Sequence, residues 1–550
     1  MTTWETAGWA ADKRPKSFLR LADPRRPVVA ATLFAAVLHI VWALFLAKDA
    51  GDMAAQFAWT DFIREHPDSA YNLSWYGGMH PASYSILSPY IMAWLGVRTT
   101  AVIAGTLSAT VAAHLLIRYR IRRPMLPALW TAFALWCDVA SGRVTFALGM
   151  LFALAATALV LPETDQRTSR IVGASALGAL ATMCSPVAGL FIEVLAGALF
   201  LTQRRKHAYI LAVSPPIVVG GTSLLFPFYG VQPFTWYFAA LPLATAVLVA
   251  FLAPKAWRTL RTGSWVYAAG IALTWAIPSP IGSNVERLSL LFGGTALLAV
   301  AVGRSDRGRK TLVIFTAFLA VAVWQVAKPV TDLVNTAPVS GTIQHAQGLI
   351  DELARVGADR GRVEVVPLRS HWEASGIAPH VNLARGWNRQ ADVERNPLFY
   401  DGTLTPATYL AWLQHWGVGY VVLPSDEPDG AAVAEAKIVA AGHDWLQPVW
   451  QDDHWRLYSV TGAQPMAAPP SIVRQAGPAE LVVEVPTAGP VLLRIPWSPW
   501  LGIAGATDSD HGCLAQDGDW TRLYAPTPGT YRIGGRYSLS RGTPCKDDKD

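Results

Sequence analysis

Two aspartates and a histidine in the segment 48–81 are the residues best placed for chemistry. Asp49 and Asp52 follow directly after an apolar run, and His80 precedes a proline where the next apolar run begins. A carboxylate near the boundary between lipid and water is partly desolvated, so its basicity can be tuned for taking a proton from a hydroxyl group. We therefore predict that this segment forms half of an active site, with Asp52 or Asp49 as the base.

Basic and aromatic side chains in two later stretches are candidates for binding substrate. Asn284 and Arg287 lie in the stretch 278–288, at the mouth of an apolar run. A guanidinium suits phosphate because its planar fork makes paired, charge-assisted hydrogen bonds, and aromatic faces suit sugar rings. Three further candidates lie in the segment 382–402: Arg385, Trp387 and Arg389.

The acidic candidates also have structural interpretations. The residues 53–65 have helical spacing, which predicts a short helix lying on the membrane surface. Asp52 precedes this run, so helix capping and catalysis both stay open for it. For Asp49, an ion pair with Lys48 is the favoured interpretation.

The other candidates have structural interpretations as well. For His80, a packed and hydrogen-bonded ring is favoured over a substrate contact. Arg287 can bind phosphate or pair with Glu286, and Asp138 can pair with Arg143. For the third group we favour docking of a soluble segment onto the membrane body, with covering of a substrate cleft as the alternative: Arg385, Trp387 and Arg389.

Composition points to an integral membrane protein. The 550 residues are 52% hydrophobic and only 15% charged, and mean hydropathy is +0.28. The formal charge of +6 comes from basic residues between apolar runs, where they orient helices and meet anionic lipid, so nucleic acid is not expected as a partner. No Walker A loop, CxxC or HExxH motif occurs, which argues against an ATP-driven pump and a zinc site.

Hydropathy predicts about eleven membrane-spanning segments. The basic arm 1–27 is expected in the cytoplasm, together with three basic connections at 203–207, 254–261 and 303–310. The odd number of spans then puts the segment 48–81 outside, with everything after residue 329. One basic stretch, 118–124, is predicted outside and disagrees with the rest. The predicted spans are 28–47, 82–97, 99–117, 125–141, 143–161, 171–201, 208–226, 235–253, 264–279, 287–303 and 311–328.

The rest of the chain predicts two soluble parts. Residues 330–466 alternate helical and strand patterns, which indicates a small α/β domain with a mixed sheet. Residues 467–550 contain short strands separated by turn residues, as in a β-sandwich. Cys513 and Cys545 lie in this part and are expected to form a disulfide if it is outside the cell. The predicted fold is an α-helical polytopic body, 28–329, followed by these two extracytoplasmic domains.

The opening of the second apolar run, HPASYSILSPYIMAWLG (80–96), resembles the GT-C superfamily of membrane glycosyltransferases, in particular actinobacterial arabinosyl- and mannosyltransferases. The resemblance implies a polyprenyl-phosphate-linked sugar donor, a cell-envelope glycan or lipid acceptor at the outer face of the cytoplasmic membrane, and inversion by direct displacement. It assigns the base to the first-loop aspartate, Asp52, with Asp49 as alternative. The spacing here is Asp-x-x-Asp and not tandem, so the base and a divalent metal requirement (Mg or Mn) stay open.

Two other classes of function are compatible with this sequence. One is a transporter or a flippase of lipid-linked sugars, although no paired repeats of the usual kind occur. The other is a non-catalytic cell-wall assembly protein that works through its β part, where three tryptophans form either a glycan platform or a core: Trp497, Trp500 and Trp520.

Overall fold

The computed structural model describes residues 25–46, 49, 51–161, 167–304, 308–336, 341–504 and 512–545. Most of the basic arm 1–27, and Lys48 with its predicted ion pair, lie outside those residues. The first part of the described chain is helical, with bounds α1 (Arg25–Phe45), α2 (Met53–Glu65), α3 (Pro81–Tyr84), α4 (Ser88–Leu95), α5 (Val97–Arg118), α6 (Met125–Ala140), α7 (Val144–Val160), α8 (Thr168–Cys184), α9 (Pro186–Leu201), α10 (Arg205–Ala212), α11 (Ser214–Leu225), α12 (Trp236–Leu252), α13 (Arg258–Ala276), α14 (Gly294–Gly303) and α15 (Arg309–Thr336).

This helical part forms the body of a polytopic membrane protein. Among the described residues, five helices are long and apolar enough to cross a membrane by themselves. Four shorter apolar helices of the described chain accompany them: Met125–Ala140, Val144–Val160, Pro186–Leu201 and Trp236–Leu252. The long helices are Arg26–Phe45, Val97–Arg118, Arg205–Leu225, Gly282–Gly303 and Arg309–Thr336.

One end of the helical body, which we call the loop end, carries the segment 51–81. There the Asp52 N–H donates to Ser141 O at 3.1 Å, and Ser85 Oγ donates to Cys184 O at 2.9 Å. The connection 226–234 lies at this end too, because the Phe226 ring contacts the His80 ring with centroids 5.2 Å apart. The connection 278–286 joins it there, since the Gln232 N–H donates to Ser279 O at 3.0 Å.

The opposite end, which we call the basic end, collects the arginine- and lysine-rich connections. Arg122 Nη1 donates to Gly303 O at 3.3 Å, and the Oγ1 atoms of Thr202 and Thr259 lie 3.4 Å apart. The stretch 118–124 therefore lies with the other basic connections, and the prediction that it lies on the side of the segment 48–81 is wrong.

Two errors in the predicted spans cancel each other. The run 82–97 does not cross the membrane, because it folds into α3 and α4, which have four and eight residues against the roughly 20 that a span needs. The run 171–201 is two passes, α8 and α9. One predicted span is lost and one is gained, so the connections α5–α6, α6–α7 and α7–α8 lie at the end opposite to the predicted one.

Proline chemistry and serine hydroxyls explain the second break. Ser185 is extended (φ −154°, ψ 115°), as expected for a residue before proline, and Pro186 starts α9 where its missing N–H costs nothing. The freed Cys184 carbonyl accepts from the hydroxyls of Ser85 and Ser88 at 2.9 and 3.2 Å. The stretch between α3 and α4 is therefore held against the end of α8, at the loop end.

After α15 the described chain forms an α/β segment. Its elements are α16 (Gly341–Gln344), α17 (Gln347–Arg355), β1 (Arg362–Val365), α18 (Glu373–Gly376), β2 (Asn382–Leu383), α19 (Arg389–Arg395), α20 (Pro406–Trp416), β3 (Val418–Pro424), α21 (Val433–Ala441), β4 (Leu446–Gln451) and β5 (Trp455–Val460). The strands form one sheet in the order β2-β1-β3-β5-β4, in which β1 is parallel to both neighbours and β5 is antiparallel to both. The predicted mixed sheet is confirmed.

The last part of the chain, which we call the β module, is all β. Its strands are β6 (Ile472–Ala476), β7 (Glu480–Val485), β8 (Gly489–Pro496), β9 (Leu501–Ile503), β10 (Cys513–Asp517), β11 (Trp520–Ala525) and β12 (Gly529–Gly535). They form two sheets, β6-β7-β12-β9 and β10-β11-β8, around a shared apolar core. A disulfide joins Cys513 and Cys545, as predicted.

The segment 66–80 is embedded in both C-terminal parts. The Leu73 N–H donates to Pro478 O in the β module at 2.7 Å, and Trp75 Nε1 donates to Ala374 O in the α/β segment at 2.9 Å. The side chains of Leu73 and Trp75 are each 1% exposed, and they belong to the cores of those two parts. This segment therefore connects both C-terminal parts to the helical body.

The helix predicted over 53–65 is confirmed as α2, but it does not lie on the membrane surface. Its apolar side chains Met53 and Phe62 are buried in the protein, and Trp59 is fully buried in the core that α2 shares with the α/β segment. Phe57 packs against Trp372 with ring centroids 5.5 Å apart. The helix is amphipathic because a protein domain covers its apolar face.

Candidate functional site

Asp52 stands at the start of α2 and is held at the loop end by its backbone. Gly51, at φ +67°, approaches the turn after α6 so closely that a Cβ would overlap the Ser141 carbonyl. The Asp52 side chain makes no capping hydrogen bond to α2. The capping interpretation is therefore wrong, and the carboxylate is left for another role.

Arg287 reaches the same end from another part of the chain. It follows the 3-10 turn Gly282–Glu286, and its guanidinium lies over the Phe146 ring, 4.9 Å from the centroid. In the part of the chain that the structure describes, Arg287 forms no ion pair. Asn284 precedes it, half-buried, with its backbone N–H donating to Ile281 O at 3.0 Å.

Five charged residues beside them form a chain of ion pairs. Lys328 Nζ lies 3.3 Å from Glu286 Oε1 and 4.0 Å from Asp332 Oδ1. Arg143 links Asp332, at 3.2 Å, to Asp138, at 3.3 Å. The predicted pairing of Asp138 with Arg143 is confirmed, and Arg143 also holds a carboxylate from α15.

Asp52 and Arg287 are the charges that this chain of ion pairs leaves unmatched. Glu286 pairs with Lys328, so the interpretation in which it pairs with Arg287 is wrong. Arg287 is repelled electrostatically by Arg143 and attracted by Asp138, Asp52 and Glu286, although no direct ion pair with any of these acids forms among the described residues. Seven residues make up what we call the charged cluster: Asp52, Asp138, Arg143, Glu286, Arg287, Lys328 and Asp332.

The hydroxyl of Tyr84 belongs to the same place. Gln56 Nε2 donates to it at 2.6 Å, and the Trp59 ring stacks on the Tyr84 ring with centroids 5.6 Å apart. Both Asp52 and Arg287 interact electrostatically with this hydroxyl. A polar side chain with a fixed orientation therefore lies near the unmatched carboxylate of Asp52 and the unmatched guanidinium of Arg287.

His80 is part of the packing between the segment 66–80 and the β module. Its Nδ1 donates to Ala70 O at 2.8 Å, because a carbonyl can only accept, and its Nε2 accepts from Ser498 Oγ at 3.1 Å. The ring also contacts Phe226, with centroids 5.2 Å apart. Burial lowers the pKa of His80 to about 4, so the ring is neutral. Its geometry is that of the packed histidine.

Asp49 is engaged by an arginine and by the α/β segment. Its carboxylate pairs with Arg98, and its backbone oxygen accepts from Trp372 Nε1 at 2.8 Å. Arg98 in turn lies over the Phe57 ring, 5.4 Å from the centroid. This carboxylate is therefore less available than that of Asp52.

Arg385 lies inside the α/β segment and not at its surface. It forms ion pairs with Asp392 and Glu435, each at 2.8 Å, and a longer one with Glu364 at 3.7 Å. Those carboxylates raise the pKa of Arg385 although its burial opposes this. The docking interpretation is wrong for this side chain, which stabilises the interior of the segment.

Trp387 and Arg389 also make their contacts within the α/β segment. Trp387 stacks on the His371 ring with centroids 3.5 Å apart, and Arg389 Nη2 lies 3.0 Å from Asp429 Oδ2. The contact with the helical body comes from the next residue, since the Val231 N–H donates to Gln390 O at 3.3 Å. Docking occurs here through backbone atoms.

The carboxylates present do not assemble into a metal site. No group of three or more His, Cys, Asp or Glu side chains among the described residues is arranged to hold a metal ion. Asp49 and Asp138 already pair with arginines. The donor set therefore does not fit the divalent metal considered above, and no step below involves one.

Three functional candidates come from the structure and not from the sequence analysis. Lys328 and Asp332 lie one turn apart near the end of α15. In the sequence, these two charges beside an apolar run could have indicated a functional site. Tyr84 lies within the HPASY motif and had no assigned role.

Comparison with known proteins identifies one family model and two similar solved structures. Residues 468–550 match a family model described as Domain of unknown function (DUF8823). No curated protein sequence matches the chain. The cryo-EM structure of the arabinofuranosyltransferase AftD from Mycobacteria is similar, with 14% identity and a TM-score of 0.49, over 84% of this chain and 41% of that one. A mutant of that enzyme gives 14% identity, a TM-score of 0.48 and coverage of 84% and 43%. The chain thus spans about two fifths of the length of these solved chains.

Proposed function

We propose that the protein is a membrane glycosyltransferase that transfers a sugar from a polyprenyl-phosphate donor to a cell-envelope acceptor, a glycan or a lipid, with inversion. One observation carries the proposal. At the loop end of the helical body, the Asp52 side chain makes no cap and the Arg287 guanidinium forms no ion pair among the described residues, beside a chain of charges that are paired with one another. Proton removal and binding of a departing phosphate need just such a pair.

The proposed reaction is a direct displacement at the anomeric carbon. The acceptor hydroxyl attacks this carbon while its proton passes to the Asp52 carboxylate. The bond between the anomeric carbon and the phosphate oxygen breaks, and the oxygen leaves with the electron pair. Arg287 binds the phosphate charge, and the Tyr84 hydroxyl, fixed by Gln56, orients a polar group of the substrates.

The distribution of basic residues supports an orientation for the proposed enzyme. All the basic connections described above meet at the basic end, which we therefore place in the cytoplasm. The loop end, the α/β segment and the β module then lie outside the cytoplasmic membrane, where a disulfide persists. We assign residues 28–329 to the catalytic body and 330–466 and 467–550 to two extracytoplasmic domains.

The experiment that tests this proposal replaces the two first-loop aspartates separately. Asp52→Asn is expected to lower transfer from a radiolabelled polyprenyl-phosphate sugar by about 10²–10⁴-fold, the usual effect of losing a general base. Its melting temperature should stay unchanged, because the side chain makes no cap. Asp49→Asn is the matched control and should retain most of the activity. If Asp52→Asn transfers sugar at the normal rate, the assignment of the base is wrong.

A further inference from the structure

A cleft of about 630 Å³ lies between the end of α2 and the β module. The residues 65–69 form one wall, and the module forms the other with residues between 475 and 480, 500 and 504, and 534 and 543. This volume lies within the range of about 300–1,000 Å³ that is usual for ligand pockets. The charged cluster does not line it.

Backbone hydrogen bonds hold the two walls together below the cleft. The Ala70 N–H donates to Gly535 O at 3.0 Å, and the Tyr537 N–H donates to Asp68 O at 3.0 Å. Ser69 Oγ donates to the same Gly535 oxygen at 3.1 Å. The cleft is therefore a preformed feature of the fold, and a ligand would not have to order its walls.

The side chains that line the cleft have unused hydrogen-bonding groups of both kinds. Glu65, Asp68 and Arg536 are exposed, and among the residues that the structure describes none of them forms an ion pair. Gln475 and Ser540 add an amide and a hydroxyl. Carboxylates accept hydrogen bonds and guanidinium and amide groups donate them, so the lining matches a ligand that does both.

This chemistry favours a neutral, polyhydroxylated ligand. A phosphate would be repelled by the carboxylates of Glu65 and Asp68, whereas the apolar part of the lining, which includes Pro478 and Ile503, can pack against the C–H faces of sugar rings. Trp500 is the one tryptophan in the lining, and it is only 7% exposed because it stacks on Phe226. Trp520 is likewise only 9% exposed. The tryptophan platform considered from the sequence is therefore not formed, and recognition would rest on hydrogen bonds.

We propose that this cleft binds a neutral glycan chain through Glu65, Asp68 and Arg536. The helix α2 begins beside Asp52 and ends at the cleft, and its 13 residues correspond to a length of about 20 Å. A glycan bound here is held at a fixed distance from the proposed base. Use of that glycan as the acceptor rests on the proposed function, whereas binding itself does not.

The test measures glycan binding to the full chain in lipid nanodiscs by saturation-transfer NMR and calorimetry. The probes are neutral manno-, gluco- and arabino-hexasaccharides, with an anionic hexagalacturonate as the charge control. The double variant Glu65→Gln/Asp68→Asn is expected to weaken binding of at least one neutral probe tenfold or more. Ser540→Trp, which fills the cleft from an exposed position, should do the same. Asp61→Asn, on α2 beside Arg64, is the matched control and should bind normally.

Each outcome decides the proposal. Neutral binding that both cleft variants weaken supports it. Absence of neutral binding, preference for the anionic probe, or binding that neither cleft variant changes overturns it. The variant Asp52→Asn separates the two proposals, because it should bind glycan normally while transfer is lost. If the cleft variants transfer sugar to a long acceptor at the normal rate, the cleft is not the acceptor site, and the assignment of Asp52 is unaffected.

Discussion

We predict that Lys328 controls whether Arg287 is available for the donor phosphate of the proposed reaction. Its ammonium pairs with the buried Glu286 at 3.3 Å, and this pairing keeps Glu286 from the neighbouring guanidinium. The variant Lys328→Met removes the cation while keeping most of the side-chain volume. Glu286 is then attracted by the guanidinium groups of Arg287 and Arg143, and Arg143 already pairs with Asp138 and Asp332. We expect Arg287 to turn towards Glu286 and to lose its affinity for the donor phosphate.

The size of the effect follows from the charges involved. At 3.3 Å and an effective dielectric constant of about 20, the Lys328–Glu286 attraction is roughly 5 kcal/mol before desolvation is subtracted. When the lysine is replaced, Glu286 loses this attraction and can move towards another cation. A charge-assisted hydrogen bond contributes about 1.5–3 kcal/mol net, so losing the phosphate contact should raise the KM for donor by about 10- to 100-fold.

A second change, at Glu286, tests whether Lys328 acts through this acid. Glu286→Gln removes the competing charge, so the double variant Lys328→Met/Glu286→Gln should recover a donor KM within about threefold of the original. The assay is turnover of a radiolabelled polyprenyl-phosphate sugar in proteoliposomes, with the melting temperature measured in parallel. A structural defect would not be rescued by this pair of changes. If the double variant is as impaired as Lys328→Met, or if Lys328→Met leaves the KM unchanged, the proposed role of Lys328 is wrong.

Three further predictions concern the surroundings of the site. Because burial lowers the pKa of His80 from 6.5 to about 4, its contribution to stability is complete above pH 6.5 and is lost as the pH falls towards 4, by about 3 kcal/mol in all. Hydrogen exchange in the segment 66–80 should therefore accelerate across that window, and His80→Asn, which keeps a donor to Ala70 O, should remove the pH dependence. Replacing both Cys513 and Cys545 by serine should lower the free energy of unfolding of the β module by about 3–4 kcal/mol, given the sequence separation of 32, with an unchanged melting temperature as the contrary result. Asp49→Asn should cost at most about 1 kcal/mol, because its ion pair with Arg98 is partly exposed, and a loss of transfer comparable to that of Asp52→Asn would instead make Asp49 the base.

The architecture was largely predictable, and the errors have a common physical origin. Strands and helices of the soluble parts follow period-two and helical patterns. The patterns at 419–424, 454–460 and 405–418 predict β3, β5 and α20, and these elements lie there. Hydropathy alone cannot tell an apolar run that crosses the membrane from one that folds back against protein, as 82–97 does. The signal that could have revealed this was the basic stretch 118–124 on the wrong side. If the stretch 118–124 is placed at the basic end, one predicted span before it must be removed. The break at Pro186, which divides the run 171–201 into two spans, then returns the later basic connections to the same end.

The site was predictable only in part, because availability of a charged group depends on its neighbours in space. Asp52 and Arg287 were singled out from their positions at the ends of apolar runs. That Arg287 is unmatched depends on Lys328, which is 41 positions away and lies in a different helix. That Asp49 is engaged depends in the same way on Arg98, which lies in α5. Sequence spacing placed these charges near the membrane boundary but could not assign partners among several acids and bases.

The segment 48–81 has two mechanical roles, and this division limits what mutations in it can show. Asp52, just before α2, and Gln56, in its first turn, lie near the charged cluster, whereas Trp75 and Tyr76 are buried in the core that α2 shares with the α/β segment. Tyr76 Oη donates to Gly386 O at 2.8 Å and has no contact with the cluster among the described residues. Changes at Trp75 and Tyr76 must therefore act through folding and docking, with lower melting temperature and lower activity together. Changes at Asp52 and Gln56 leave that docking intact, so only these can separate chemistry from stability.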